Sequence, residues 1–176
     1  IGDGYIYHKY SKYIIGVVGN PRTDEVYFFK IQKLINDLFN LQTSFKQRGR
    51  GLRLVFNSKG LFHFLTEVLK IPYGKVKGIS VTIPSFFLND KIIETAVLRG
   101  IFDTDGSIFC SNKKGASNYP CIELTTTSQL LAHQVSLILR KLKFKVAKIR
   151  IYQYKHSKLL SYKVSLYGKG NMVKWY

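Results

Sequence analysis

Two aspartates stand out in a chain that is short of acids. Asp3-Gly4 opens the sequence and Asp105-Gly106 repeats the pair 102 residues later, in a composition of 10 acidic residues against 28 lysines and arginines. Carboxylate oxygens are hard donors suited to Mg²⁺ or Mn²⁺, and two held close together repel each other and leave a strong cation site. A cation so held can activate water and stabilise charge on a phosphodiester undergoing hydrolysis. A lone Asp-Gly pair is far more often a turn than a site; its recurrence in a repeated, basic chain is what favours chemistry. Zinc chemistry is poorly served, because His8, His63, His133 and His156 show no ligand spacing and Cys110 and Cys121 lack companion ligands. The two cysteines are expected to be buried free thiols rather than a cross-strand disulfide.

The elements that must position these carboxylates follow from the hydrophobic period. Residues 5–9 and 13–19 read as a hairpin, and 23–40 as a helix capped by Thr23 or Asp24 with Val26, Phe29, Lys33, Leu34, Leu38 and Leu41 along one face. Residues 43–48 and 52–57 give a second hairpin around Gly49-Arg50-Gly51, and Ser58 to Lys70 a helix with Leu61, Phe64, Leu65 and Val68 inward. Residues 71–89, with Pro72 and Pro84, read as a linker. The order then returns: a helix from Asp90 to Thr104, strands at 107–113 and 119–126, an amphipathic helix from Ser128 to Lys143, strands at 145–154 and 160–167, and a helix from Lys169. Ser58-Lys59-Gly60 returns as Gly168-Lys169-Gly170. The expected organisation is a first repeat over 1–70 and a second over 90–176, two pseudo-symmetric halves of an α+β protein. The chain opens without Met on what reads as the end of a motif and stops within an expected helix, so further sequence is expected at one or both ends.

A formal net charge of +18 points to a polyanionic partner. No apolar run approaches membrane-spanning length, no signal peptide opens the chain, and the basic residues are spread rather than clustered, which favours nucleic acid over lipid and an intracellular setting. Strand alternation identifies the side on which it would lie. Apolar residues occupy one parity; the other carries Tyr7, Lys9 and Ser11, then Phe109, Ser111 and Lys113, with Glu123 and Thr125 on the following strand. The outer strands add Lys46, Arg48, Arg53, Lys148, Arg150, Tyr152, Tyr154 and Lys163. Such a β-surface can meet phosphates and base edges. Glu123, an acid on a basic face, could accept from a cytosine amino group or serve as a salt-bridge partner.

Leu98-Arg99-Gly100-Ile101-Phe102-Asp103-Thr104-Asp105-Gly106 resembles the signature of the LAGLIDADG homing endonucleases, and Ile1-Gly2-Asp3-Gly4 resembles the last four positions of a first copy whose helix is missing. The resemblance implies two αββαββα subdomains whose antiparallel sheets form a DNA-binding saddle. A small residue such as Gly100 lets two such helices approach closely, delivering Asp3 and Asp105 to one place. It further implies a monomeric, site-specific enzyme making double-strand breaks with short 3′ overhangs, each aspartate serving one strand. The implied metal set is Asp3 and Asp105 with Gly2 and Thr104, loaded with Mg²⁺, Mn²⁺ substituting and Ca²⁺ binding without supporting cleavage. Asn20 and Thr126, with Lys75 or Lys77, are candidates for the polar and basic residues that the family places around the metal-bound water; the usual Gln or Lys is not clearly present. Asp103 is read as a helix-end residue.

The same scaffold also implies alternatives, an intron RNA maturase or a non-catalytic DNA-binding protein; the second has no need for aspartates aimed at phosphate. No splicing blocks of an intein flank the repeats, so an intron-encoded enzyme is the simpler expectation, cytoplasmic in a prokaryote or organellar in a eukaryote. If the basic faces meet about 8 phosphates, log K for duplex binding falls against log salt with a slope of roughly −7. Fluorescence titration over a salt series measures it, and a slope near zero would contradict the basic-face reading.

Overall fold

Runs of β-branched and aromatic residues broken by short polar turns form the strands, and the longer runs of helical period join them. In the computed structural model, which describes residues 2–49, 51–74, 77–113 and 116–176, β1 (Gly4–Lys9) and β2 (Lys12–Gly19) form a hairpin followed by α1 (Glu25–Phe39). The strands β3 (Ser44–Arg48) and β4 (Gly51–Asn57) form the next hairpin, and α2 (Lys59–His63) comes after them. After α3 (Lys77–Ser80) and a 3₁₀ turn at Ser85–Phe87 come α4 (Lys91–Asp105), β5 (Gly106–Lys113) and β6 (Ala116–Thr126). The chain then runs through α5 (Gln129–Lys141), β7 (Arg150–Gln153), β8 (Leu160–Tyr167) and α6 (Lys169–Trp175). Strand order is β1-β2-β4-β3 in one sheet and β5-β6-β8-β7 in the other, all pairs antiparallel. This is the expected α+β architecture of two matching halves. Packing divides the chain into two compact units, Asp3–Val76 and Lys77–Tyr176, with Gly2 grouped with the second. Among the described residues no helix is long and apolar enough to cross a membrane.

In the first unit Ile15, Leu54 and Phe56 on one face of the sheet pack with Phe28 and Ile35 of α1 and Phe62 of α2. The inward face of α1 differs from the sequence expectation. Val26, Leu34 and Leu38 are 70%, 56% and 69% exposed, while Phe28 and Ile35 are buried and Tyr27 and Ile31 pack beside them. The helix carries two apolar stripes, and the one with the larger rings fills the sheet. A second departure comes after α2. The helix is regular only to His63 and widens into a π turn over Phe64–Val68, closed by Leu69 N–H donating to Phe64 C=O at 3.0 Å. The wider turn rotates the later side chains about the helix axis, so Leu69 is buried while Val68 is exposed; ahead of the turn Phe62 is buried, and Phe64 at its start is exposed. Leu61 and Leu65 pack against the core as expected.

In the second unit Ile122, Leu124, Val164 and Leu166 are buried on the sheet, and α5 buries Leu131, Ala132, Val135, Ile138 and Leu139. The Ser128 hydroxyl caps α5 by accepting from Leu131 N–H and donates to Val81 C=O at 2.6 Å. Val81 and Ile83 are buried, and Ile83 N–H and C=O both bond the Gln134 amide. The later part of the expected linker is therefore packed onto α5. The expected strand 145–154 is shorter: β7 spans Arg150–Gln153 and Val146 makes only an isolated bridge to Leu166. Both cysteines are free, but Cys110 is exposed and only Cys121 is buried. The register sets Cys110 opposite Pro120 and Cys121 opposite Phe109, hence on opposite faces of the sheet.

Glu94, in the first turn of α4, is buried and accepts from Lys141 Nζ at 2.8 Å and Asn89 N–H at 3.0 Å. The Lys141 bond, then that of Asn89, holds its carboxyl below the ordinary carboxylate range despite the opposing effect of burial. A depressed folded-state value means stabilisation that is complete above the unfolded value and lost as pH falls through the folded one. The thermal midpoint of Glu94→Gln is expected to lie below that of the unaltered chain at pH 7, with the gap closing below the ordinary carboxylate range. A gap independent of pH would show that the charge contributes nothing.

Candidate nucleic-acid interface and acidic helix end

Because strand side chains alternate, each sheet with helices on one side presents its other parity away from them. In the first unit that parity holds Tyr5, Tyr7 and Lys9 of β1, Gly16 and Val18 of β2, Arg53 of β4 and Lys46 of β3, in rows set by the pairings Tyr5↔Gly16, Gly16↔Val55 and Lys46↔Arg53. Tyr5 and Tyr7 stack with ring centroids 6.1 Å apart, and the Arg53 guanidinium lies 5.8 Å from the Tyr5 ring. Burial pushes the Tyr5 phenol up, against the opposing pull of Arg53. A Cβ on Gly16 would lie 2.6 Å from the Tyr5 ring and 2.9 Å from Leu54 C=O, so only glycine lets Tyr5 lie flat across β2. Ser11 sits in the β1–β2 turn rather than in a strand. His8 has the opposite parity and stacks on Tyr13 at 4.4 Å.

The second unit presents Ser107, Phe109 and Ser111 of β5, Glu123 and Thr125 of β6, Ser161, Lys163 and Ser165 of β8, and Arg150 and Tyr152 of β7 on one parity. Glu123 is 5% exposed, and its carboxylate accepts from Lys163 Nζ at 2.5 Å, Arg150 Nη2 at 2.8 Å and Ser165 Oγ at 2.9 Å. Of the two roles open to it from sequence, its contacts are those of a salt-bridge partner. Burial pushes its carboxyl up, but the bonds from Lys163 and Ser165 and the charge of Arg150 bring it below the ordinary range. Lys163 also lies 5.1 Å from the Tyr152 ring, and the Tyr152 and Tyr154 hydroxyls are hydrogen-bonded. Lys148 precedes β7 and Tyr154 comes just after it, both exposed. Tyr5 and Ser107 were missed from sequence, although the same parity rule places them.

Asp105 ends α4 and is exposed. Gly106 after it donates its N–H to Phe102 C=O, and a Cβ there would meet that oxygen at 2.5 Å, so this helix end requires the glycine. The Thr104 hydroxyl donates to Gly100 and Ile101 carbonyls, and Asp103 pairs with Arg99 at 3.7 Å one turn back, in keeping with a helix-end role. Asp3, exposed, leads into β1, its carbonyl accepting from Val18 N–H at 3.1 Å. Gly2 has φ +71° and packs so tightly on the Thr104 side chain that a Cβ would collide with it; these two residues of the implied metal set are in contact. The Asn20 amide oxygen is engaged by Arg22 N–H and the Thr126 hydroxyl by Ser128 N–H. By register, moreover, the counterpart of Thr126 is Gly19, not Asn20. Lys75 and the side chains of Arg48, Lys77 and Lys113 lie outside the described residues. Among the described residues no group of three or more His, Cys, Asp or Glu could hold a metal. A cation bound through Asp3 or Asp105 would complete its shell with backbone oxygens, water or phosphate, a donor set that suits Mg²⁺.

Residues 93–176 match the profile of the LAGLIDADG-like domain. Mesophilic variants of the homing endonuclease I-DmoI share the fold at a TM-score of 0.69 and 17% identity, over 99% of this chain and 81% of theirs. I-DmoI in complex with DNA and Mn aligns at 0.65 and 17% identity, over 94% and 82%. The N-terminal LAGLIDADG domain of DUF199/WhiA aligns at 0.54 and 12% identity, over 98% and 74%. No curated protein matches the chain by sequence.

The tight seat of Tyr5 on Gly16 makes Gly16→Ala an overpacking change, expected to lower stability by about 1–3 kcal/mol. Urea unfolding measures it; an unchanged midpoint would show that β1 yields without strain.

Proposed function

We propose that the chain is a LAGLIDADG protein, the family whose domain profile residues 93–176 match and whose fold it shares with I-DmoI, and that it is a site-specific, metal-dependent DNA endonuclease that makes double-strand breaks. The observation that carries this is the recurrence of an exposed aspartate at the start of equivalent hairpins, Asp3 before β1 and Asp105 before β5, beside two sheets with basic and aromatic faces. Similarity of fold to I-DmoI, structures of which hold DNA with Mn, Mg or Ca, supports a duplex substrate and a divalent cation.

In this reading the sheet faces hold the duplex. Lys9, Lys46, Arg48, Arg53, Lys113 and Lys148 meet phosphates or base edges, and Tyr7, Ser11, Phe109, Ser111, Thr125, Tyr152 and Tyr154 fit against backbone and bases. Asp3 and Asp105 act as a pair, each with the residue before it, Gly2 or Thr104, supplying oxygen ligands. When bound, Mg²⁺ would supply an activated water and charge stabilisation at phosphorus. The glycine after each aspartate keeps the carboxylate at the tip of its element. Asn20, Thr126 and Lys75 or Lys77 are the residues proposed around the attacking water. One chain with both halves acts as a monomer, and an intron-encoded, intracellular origin accords with a DNA substrate.

The test is cleavage of a randomised or genomic duplex library with Mg²⁺ by the unaltered chain, Asp3→Asn and Asp105→Asn, including any natural residues before Ile1. Discrete metal-dependent double-strand cuts are expected. Either substitution should convert them to nicks or lower the rate by at least about a hundredfold, the scale on which loss of one electrostatic group acts in hydrolytic sites. Tight duplex binding without cleavage in Mg²⁺, Mn²⁺ or Co²⁺ would point instead to a binding-only role.

A further inference from the structure

The matching registers make the two sheets comparable position by position, and one place differs in kind. The row Tyr5–Gly16–Val55 in the first sheet corresponds to Ser107–Glu123–Ser165 in the second. Lys46 and Arg53 in the first correspond to Arg150 and Lys163 in the second. Both sheets thus carry two cations at equivalent places, but only the second sets a carboxylate beneath them. In the first sheet the Tyr5 ring occupies that space over Gly16, with Arg53 stacked on it. Neither Lys46 nor Arg53 is in an ion pair among the described residues. In the second, Glu123 is buried while the Arg150 side chain above it is 58% exposed.

For attraction to phosphate alone this acid is a handicap. It cancels one of two positive charges and so weakens the counterion-release contribution. What it supplies is geometry. One Arg150 nitrogen is fixed on Glu123 Oε2, the Lys163 ammonium on Oε1, and Ser165 holds the carboxylate from a third side. A guanidinium held at one corner keeps its plane and leaves other N–H groups directed outward, the arrangement that reads guanine O6 and N7 bidentately. We propose that Glu123 is a positioning residue for base recognition, holding Arg150 and Lys163 as a preset guanine reader, so that this row discriminates sequence where its counterpart in the first half contributes mainly affinity. The proposal rests on the reading of the chain as a duplex-binding protein.

The experiment selects bound sequences from a randomised duplex library with the full chain and with Glu123→Gln, Arg150→Lys and Lys46→Gln. The unaltered chain is expected to select guanine at a position where Glu123→Gln and Arg150→Lys each reduce the preference at least about fivefold, the lower end of what one base-pair contact supplies. Affinity of Glu123→Gln for random duplex should hold within about twofold at moderate salt, with the log K–log salt slope steeper by roughly 1. Lys46→Gln should weaken all sequences alike. Glu123→Gln that lowers affinity uniformly, with base preferences intact, would make the acid merely structural and overturn the proposal. Arg150→Lys, at an exposed side chain, decides the matter even where Glu123→Gln fails to fold, since unchanged selection overturns it. Duplex binding with these outcomes defeats this proposal alone; absence of salt-dependent binding by the unaltered chain defeats the nuclease reading and this with it.

Discussion

Each four-stranded sheet has helices on one side only, and the rest of the structure depends on that asymmetry. Antiparallel strands alternate their side chains, so shielding one parity dedicates it to Ile15, Leu54 and Phe56 in the first unit and to Ile122, Leu124, Val164 and Leu166 in the second. The other parity lies outside that apolar core, although Cys121, Glu123, Ser161 and Ser165 on it are themselves buried, and it can hold the charge that a +18 chain must place somewhere. A slip of one residue in any strand would exchange the two sets. Register therefore fixes core and interface together, and the helix that ends in Asp105 passes directly into β5, setting the acid at the margin of that face.

What was legible in the sequence is what obeys one rule at a time. Period-2 alternation placed Tyr7, Lys9, Lys46, Arg53, Phe109, Thr125, Arg150 and Lys163 on a shared parity within their own sheets, and repeated Asp-Gly pairs marked the start of equivalent hairpins. What was not legible needed competition between rules. In α1 two apolar stripes compete, and only the shape of the sheet beneath selects Phe28 and Ile35 over Val26, Leu34 and Leu38. The π turn at Phe64–Val68 changes the helical period in the middle of a segment, which a fixed 3.6-residue template cannot see. Glu123 kept two readings because its partners come from β7 and β8, brought beside it only by sheet order.

The two halves share topology down to matched residues, yet their faces have diverged. The first sheet spreads Tyr5 and Tyr7 across β1 with Arg53 over the Tyr5 ring, an aromatic and cationic surface with little fixed polarity. The second concentrates a buried acid, two cations, a serine and two tyrosines in one hydrogen-bonded patch. A pseudo-symmetric scaffold carrying unlike surfaces suits an asymmetric partner, and a single chain allows each surface to change without altering the other.

The segment before α4 has a bearing on how such a protein could be taken apart. Val81 and Ile83 are buried and anchored to α5 and its cap through Ser128 and Gln134. The modular boundary thus lies near residues 74–77, ahead of the strap, and not at the helix start where the repeats formally begin. Recombination between relatives, whether by evolution or in the design of hybrid proteins, would yield a self-sufficient second module only by carrying this strap along with it. A crossover at residue 90 would replace the hydrogen-bonded cover of α5 with a segment not matched to it.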